Sequence, residues 1–393
     1  MPVQPIHSFP ARMAPEIALK ELQSLPRRAV VLDPMMGSGT VLRVALNRDL
    51  YAIGRDIDPL AVLMTRVWTT PLDTQCFRSR AIELVREART LRSEQISLPW
   101  IDEDPETSAF IDFWFGESQK ADLRKLSALI QTLTGAERDA MRIALSRIII
   151  TKSTGASLAR DVSHSRPHRA ISNNVFSVME GFLRSATQLA KRLETIPLDS
   201  LTDVRQEDAR DLASIATASI DAVLTSPPYL NAINYLRGHR LSLVWLGYSL
   251  TELRLLRLTT IGVERAPEAQ ASTSQAEEII DQITLGEVLL PRDLSIIKRY
   301  ILDLAALLSE VSRVLRPGGK AIFVVGNSCI RGTFVRNALA IRLLAERNGL
   351  RYEDEEEREL PPNRRYLPPP EASKQSDLHK RMRTETVLKF VRV

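Results

Sequence analysis

The stretch from Ala29 to Asp58, AVVLDPMMGSGTVLRVALNRDLYAIGRDID, constrains the fold more than any other part of the chain. It opens with a short apolar run that ends in an acid, Asp33. A loop punctuated by Gly37 and Gly39 follows, then a helical stretch, VLRVALNRD, then a second apolar run ending at Asp56 and Asp58. Strand, loop, helix and strand in this spacing form a βαβ unit, which commits the chain to a parallel sheet. Ligands of such sheets gather outside the carboxyl ends of the strands, where this loop lies. The two glycines allow positive φ and let the backbone approach a ligand without a Cβ in the way. Free N–H groups at the start of the following helix can receive polar ligand atoms.

The loop is not a phosphate cradle of the GxxxxGK[ST] kind, because no lysine follows Gly39, and it is not GxGxxG. Asp33 and Pro34 at its mouth would repel a polyphosphate and suit a ligand with hydroxyls, amines or positive charge. Asp56, roughly twenty residues after the loop, holds the position that takes ribose hydroxyls in dinucleotide sites, with Asp58 as its rival. A tight turn with no ligand is the plain alternative for the loop.

Further strand candidates are SLTDVRQED, SIDAVLTS and GKAIFVVGN (Gly319 to Asn327), the last preceded by the helix YILDLAALLSEVSRVL and the turn RPGG. LRYEDEEEREL and ETVLKFVRV read as a final antiparallel pair, with EDEEERE a solvated strand or turn. The fold class is therefore α/β, with a seven-stranded, mostly parallel sheet. Asp208 ends the third strand, where it could accept from an adenine amine. Helical periodicity over residues 66–198, as in LRKLSALIQTL and ERDAMRIALSRIII, predicts a helical insertion. A second, smaller insertion covers 247–293 and is polar in APEAQASTSQAEE. The sheet domain then comprises 1–65 and 199–393.

The chain's 393 residues allow one large domain with insertions, or two to three domains. Its net charge of +5 permits a polyanionic partner without establishing one. The two cysteines, Cys76 and Cys329, lie in no CxxC or Cys/His cluster. We therefore expect no disulfide framework, no metal site and a reducing, cytoplasmic location, with both residues as ordinary buried thiols. MPVQPIHSFPARM lacks the apolar core of a secretory signal, and no apolar run is long enough to span a membrane.

The second constraining stretch is VLTSPPYLNAINY, Val223 to Tyr235. Prolines stop a strand because they lack an N–H and fix φ. Tyr229 therefore sits on a stiff turn at a strand's carboxyl end. A strand stop followed by a core tyrosine is the plain reading. Taken with the glycine loop, however, these residues resemble the S-adenosylmethionine-dependent methyltransferases that act on exocyclic amines of DNA bases. DPMMGSGT is similar to the family's DPFxGSGT cofactor loop, and TSPPY to its [DNS]PP[YFW] catalytic motif. HSFPARM resembles the FPA(K/R) segment that closes over the cofactor's methionine part, and RVLRPGGKAIFVVGNS resembles the fold's fifth-strand region. The resemblance covers roughly residues 5–65 and 200–393 and leaves the helical insertion unaddressed. It departs from the family at Met35 and Met36, where Phe and a small residue are common; methionine adapts its shape. The loop also precedes the catalytic motif here, whereas many cytosine-N4 enzymes have the reverse order.

The resemblance implies a seven-stranded sheet with its last strand antiparallel. It implies S-adenosylmethionine as cofactor, held by Phe9, Pro10, Ala11, Asp33, Pro34, Gly37, Ser38, Gly39, Thr40, Asp56 and Asp208. It also implies catalysis at Ser226, Pro227, Pro228 and Tyr229 on double-stranded DNA. A base inside a duplex must be flipped out at a cost of a few kcal/mol. Stacking on an aromatic such as Tyr229 returns about 1–3 kcal/mol. The Ser226 side chain and the Pro227 carbonyl can accept from an exocyclic NH2 and aim its lone pair at the sulfonium methyl. Direct transfer to nitrogen requires no catalytic cysteine. Serine at the first motif position resembles the cytosine-N4 subgroup, so cytosine-N4 is preferred over adenine-N6.

Beyond these residues, Asn231, Tyr235, Arg237, His239 and Arg240 could line a base pocket or hold phosphate, while Trp245 and Leu246 read as core. The segment Lys152 to Asn174 suits a loop gripping phosphates through Lys152, Arg160, Arg166, His168 and Arg169, or else a disordered basic loop. Asn327 either faces the pocket or caps a turn. An RNA or protein-glutamine methyltransferase, and a nucleic-acid-binding protein with a decayed pocket, stay open as alternatives. Target sequence, oligomeric state and any partner restriction endonuclease are not readable from the residues.

Overall fold

The structure is a computed structural model and describes residues 4–9, 12–151, 154–160, 167–196, 201–230, 235–262, 274–360 and 384–393; residues 235, 274 and 275 are described by their backbone alone. In chain order the strands are β1 (Val30–Asp33), β2 (Tyr51–Asp56), β3 (Ala159–Arg160), β4 (His168–Arg169), β5 (Thr202–Gln206), β6 (Ile220–Thr225), β7 (Leu315–Val325), β8 (Ser328–Ile330), β9 (Thr333–Val335), β10 (Leu350–Glu359) and β11 (Thr384–Arg392). Seven of them form one sheet in the order β10-β11-β7-β6-β1-β2-β5. β11 is antiparallel to both of its neighbours and the other pairings are parallel, as the sequence predicts. The inner strands are apolar because helices cover both faces, so β6 is buried at nearly every position. β10, at the edge, is acidic and largely exposed.

From β1 the strand order runs outward to β2 and β5 on one side, and to β6 and β7 on the other. The β1–β6 boundary is therefore the topological switch point, where an open parallel sheet leaves a crevice at its carboxyl edge. Both constraining stretches end here. β1 delivers the glycine loop and β6 delivers TSPPY, although some 190 residues separate them in the chain. The pairs Val31–Ala222 and Leu32–Val223 fix their register.

The structure corrects the expected start of one strand. β7 begins at Leu315, and RPGG lies within it as an irregularity rather than before it. Pairing jumps from Ile220–Leu315 to Ala222–Lys320, and Gly318 takes φ +76° to absorb the extra residues. The short hairpins β3–β4 and β8–β9 are additions that the sequence does not signal.

The helix Pro291–Val314 packs a stripe of Ile297, Ile301, Leu304, Leu308 and Val311 on one face of the sheet, together with helices Ser274–Thr284 and Asn337–Arg347. Helices Pro15–Glu21 and Thr40–Leu46 cover the other face. Helices Thr74–Thr90, Glu117–Gln131, Gly135–Ser146 and Val178–Leu193 build a second body. Its core also takes in side chains from Tyr235–Leu243 and Leu250–Thr259. The helix Pro59–Thr69 joins the two regions: Val62 belongs to the sheet-side core, while Leu63, Met64, Val67 and Trp68 belong to the helical one. Its start is set by Pro59 at the first position and by Asp58, whose Oδ1 accepts from the Leu60 N–H at 2.9 Å.

Two further anchors bear on the site. Arg55 on β2 is wholly buried. It donates to Asp203 and Glu207 at 2.8 and 2.6 Å, to the Gly54 and Asp203 carbonyls, and to the Ser214 hydroxyl. The N-terminal segment has no regular structure but is tied to the helical body. Arg147 and Arg192 donate to the Ile6 and Pro5 carbonyls, and His7 Nε2 lies 2.9 Å from the Ser146 hydroxyl. Among the described residues, no helix is long and apolar enough to cross a membrane.

Candidate active site

A cleft with about 990 Å³ of empty space opens at the carboxyl ends of β1, β2 and β6. Its floor is the glycine loop. Gly37 and Gly39 both take positive φ, +49° and +80°, and Gly39 caps the helix Thr40–Leu46. A Cβ on Gly39 would fall 2.7 Å from the Thr65 hydroxyl, and one on Gly37 would fall 3.0 Å from the Phe9 ring. Both positions therefore demand glycine, for conformation and for space. The loop is pinned from β2: the Met36 N–H donates to the Arg55 carbonyl at 3.0 Å and the Gly37 N–H to Asp56 Oδ2 at 2.8 Å. Gly54 on β2 leaves room for the Met36 sulfur, where a Cβ would clash.

Asp33 is 3 % exposed and accepts from the Thr225 hydroxyl at 2.7 Å and the Met35 N–H at 3.2 Å. Burial pushes its carboxyl up to about 7, against the pull of these hydrogen bonds. Asp56 accepts from the Asp58 N–H at 2.9 Å as well as from Gly37, and is likewise pushed up to about 7, by burial first and the Asp58 charge second. The two rivals for the ribose position are thus separated by their partners. Asp58 is committed to its helix cap and to His239 Nδ1, 2.5 Å from its Oδ2. Asp56 rims the cleft and, among the described residues, accepts only from backbone N–H groups. Asp208 also lines the cleft, held by the Arg210 fork at 3.0 Å to Oδ1 and 2.6 Å to Oδ2.

On the β6 side, the Ser226 hydroxyl donates to the Val324 carbonyl of β7 at 2.9 Å. The Pro228 carbonyl accepts from the hydroxyl of Tyr300, which is wholly buried, at 3.1 Å. Ser226 and Pro228 line the cleft together with Asp33, Gly37 and Asp56. Pro227 is buried and not part of the lining, and Tyr229 is half-buried, packed on the core beneath helix Pro291–Val314. The tyrosine therefore sits beside this cleft and is not part of its lining.

Phe9, Pro34, Ser38 and Thr40 line the cleft as well, and Gly39 lies just behind it. Pro10, Ala11, Lys152, Arg166 and Asn231 lie outside the described residues, as does the side chain of Tyr235. Arg237 is exposed on the helix that follows the motif. Arg160 and Arg169 stand on the β3–β4 hairpin, with Arg169 over the Phe113 ring at 5.1 Å. Trp245 and Leu246 are core, and Asn327 accepts from the Ala338 N–H, a helix-start role. One expectation is corrected: Cys76 is exposed and Cys329 half-buried, so neither is a fully buried thiol. Cys76 sits in the first turn of an outer helix, where an interaction with Asp73 holds its thiol above its ordinary range. Among the described residues, no group of His, Cys, Asp and Glu is placed to hold a metal ion.

Sequence reasoning missed Thr225, Tyr300 and the wall formed by Thr259, Thr260 and Ile261. The one available signal was Tyr300, a polar aromatic in the apolar stripe of its helix.

The chain is similar along most of its length to two curated proteins. It is 26% identical to the Type II methyltransferase M.MvaI of Kocuria varians, over 83% of this chain and 77% of that protein. It is 22% identical to the Type II methyltransferase M.BsoBI of Geobacillus stearothermophilus, over 79% and 71%. A solved TehB-like SAM-dependent methyltransferase from Corynebacterium glutamicum aligns over 97% of this chain and 89% of its own, at 10% identity and a TM-score of 0.31, too low to bear on the site. No family model matches the chain. The seven-stranded sheet with its last strand antiparallel is the one that the motif resemblance implies. The motif resemblance and the two long similarities point to one family, the S-adenosylmethionine-dependent DNA methyltransferases. Its cofactor fits this cleft: a close-packed glycine loop at the floor, the acids Asp33 and Asp56 suited to an amine and a ribose, and no phosphate cradle.

Proposed function

We propose that the protein transfers a methyl group from S-adenosylmethionine to the exocyclic N4 of a cytosine flipped out of a specific site in duplex DNA. One observation carries this reading. Ser226, in the same cleft as Asp33, Gly37 and Asp56, has given its only hydroxyl hydrogen to Val324. It therefore turns lone pairs, and no donor, toward the cleft. An amino group entering there can donate, whereas a keto oxygen meets only repulsion. Donation from the amine to Ser226 draws nitrogen's lone pair out of conjugation and leaves it directed at the methyl carbon.

When bound, S-adenosylmethionine supplies an electrophilic methyl on a sulfonium sulfur. Asp33, between the Thr225 hydroxyl and the Met35 N–H, is placed for the cofactor's amine, Asp56 for its ribose hydroxyls and Asp208 for its base. Phe9 packs against the loop at Gly37 and Thr65 at Gly39. The reaction forms a C–N bond as the C–S bond breaks, and the methylated nitrogen returns its extra proton to solvent. Tyr229, half-buried beside the cleft, is the aromatic side chain we assign to stacking of the displaced base, and the Tyr300–Pro228 hydrogen bond keeps its turn fixed. A serine rather than a carboxylate at the acceptor position supports cytosine over adenine. The long similarities to two Type II methyltransferases support a site-specific DNA substrate.

The test is base-resolution modification mapping of DNA from cells expressing the protein, paired with transfer of labelled methyl to duplex DNA in vitro. N4-methylcytosine in a fixed sequence context is expected. N6-methyladenine would replace the base assignment. Label on structured RNA with none on DNA would overturn the substrate.

A further inference from the structure

Three arginines collect at the lip of this cleft without acidic partners. The helix Tyr235–Leu243 begins just after the catalytic turn. Leu236 lines the cleft, Arg237 follows it, and Arg240 stands one turn on. The helix Leu250–Thr259 packs against it and brings Arg257 to the same lip, two residues before the wall residue Thr259. Among the described residues, none of the three side chains has an ion pair or hydrogen bond. Their neighbours are matched: Arg254 on the same helix meets Glu106, and Arg210 meets Asp208 and Asp303. The three also feel one another, since burial and the charges of Arg237 and Arg257 lower the pKa of Arg240. Arg240 is fixed in place all the same, its guanidinium 5.0 Å over the Phe110 ring and its Nε buried without a partner. Like charges held together, one with a buried unmet donor, are unfavourable in the free protein and become favourable only when an anion arrives.

We propose that Arg237, Arg240 and Arg257 form a clamp for the phosphodiester backbone of DNA beside the flipped nucleotide. The clamp rests on the reading of the cleft given above and adds to it the grip that holds the substrate strand. Three guanidiniums spread over two helices suit successive phosphates better than one small anion. The same surface continues from Arg240 through Phe110 and Trp114 to Phe113, where Arg169 stacks. That path is a run of three rings with a cation at each end, which suits a nucleic-acid strand leaving the pocket.

The experiment measures binding of the full chain to duplex DNA against salt, with DNA KM and kcat for methyl transfer, in Arg237→Gln, Arg257→Gln and their double variant. Both residues are exposed, so folding should survive, and cofactor affinity by calorimetry serves as the check. Arg27→Gln, at the opposite, amino-terminal end of β1, is the control. Each substitution at the lip should reduce the log–log salt slope by about one and raise the DNA KM several-fold. kcat at saturating DNA should stay within about twofold and cofactor binding should not change, while Arg257→Lys should restore the slope. Unchanged slope and KM in the double variant, with wild type still methylating DNA, would overturn the clamp and leave the proposed function standing. A wild type that neither binds nor methylates duplex DNA would remove both. Competition by millimolar inorganic phosphate beyond that of chloride at equal ionic strength would reassign the three arginines to a free anion. A slope change seen with duplex RNA alone would reassign them to RNA.

Discussion

The two walls of the cleft are built differently. On the sheet wall every working polar group is tied to a neighbouring strand or loop: Asp33 to Thr225, Asp56 to the Gly37 N–H, Ser226 to the Val324 carbonyl. On the helix wall Arg237, Arg240 and Arg257 have no acidic partner among the described residues, and His239, paired to Asp58 through Nδ1, keeps a buried Nε2 without one. The first wall has its geometry decided before any ligand binds, as a small cofactor of fixed shape requires. The second leaves charge unmet, as a long polyanion that arrives and departs requires.

That contrast can be broken most severely at Asp33. Asp33→Ala should cut cofactor affinity and methyl transfer by about a hundredfold or more, since the carboxylate proposed for the cofactor's amine disappears; calorimetry and labelled-methyl assays measure both. Normal cofactor binding in this variant would show that the sheet wall is not the cofactor side. Next comes Gly39→Ala, where positive φ and the Thr65 hydroxyl act together. A loss of about 2–3 kcal/mol of stability is expected by denaturant titration, and a variant as stable as wild type would mean the loop can relax.

Proton linkage sharpens the comparison. Asp33 and Asp56 have folded-state values of about 7, above the ordinary carboxylate range. Between about pH 4 and 7 the folded, ligand-free protein binds more protons than the unfolded chain. Its stability should therefore fall as pH rises through that window and level off above about 7. A cationic cofactor that needs these carboxylates charged should bind more weakly below pH 7, releasing protons as it binds. Melting curves and calorimetry in buffers of different ionisation heat test this, and a cofactor affinity flat from pH 6 to 8 would contradict it. Asp33→Asn should raise ligand-free stability at pH 8 while losing cofactor.

A smaller effect belongs to Ser226→Ala. Transfer should fall roughly tenfold with cofactor affinity kept, the size of one lost hydrogen bond to a reacting amine. The smallest belongs to Tyr300→Phe, which frees the Pro228 carbonyl. About 1 kcal/mol of stability and a several-fold drop in kcat are expected, without a change in cofactor affinity; an equal loss of cofactor binding would mean that Tyr300 supports the whole cleft.

The sheet wall was legible because its constraints are local. Strand ends, glycines and prolines announce themselves within a few residues, so the seven strands, the loop and the serine turn could be read directly. The start of β7 was misplaced because RPGG looks like a turn until β6 is beside it to absorb the irregularity. Tyr229 has both a pocket reading and a core reading, and only packing against helix Pro291–Val314 separates the ring from the cleft. The helix wall was illegible for a different reason. Arg257 lies in a stretch read as a polar insertion, and nothing local shows that Glu106 takes Arg254 while no acid takes Arg257. Missing partners are a property of three dimensions.

Arg55 carries a final consequence. Its guanidinium joins the strand that ends at Asp56 to Asp203 on β5 and to Glu207, the neighbour of Asp208. The grips proposed for the two halves of a nucleoside, Asp56 and Asp208, are therefore one rigid jaw, and neither can be retuned alone. On that proposal, an alteration at Ser214, a loop hydroxyl outside the cleft lining, would be felt as poorer discrimination between nucleosides before it was felt as unfolding.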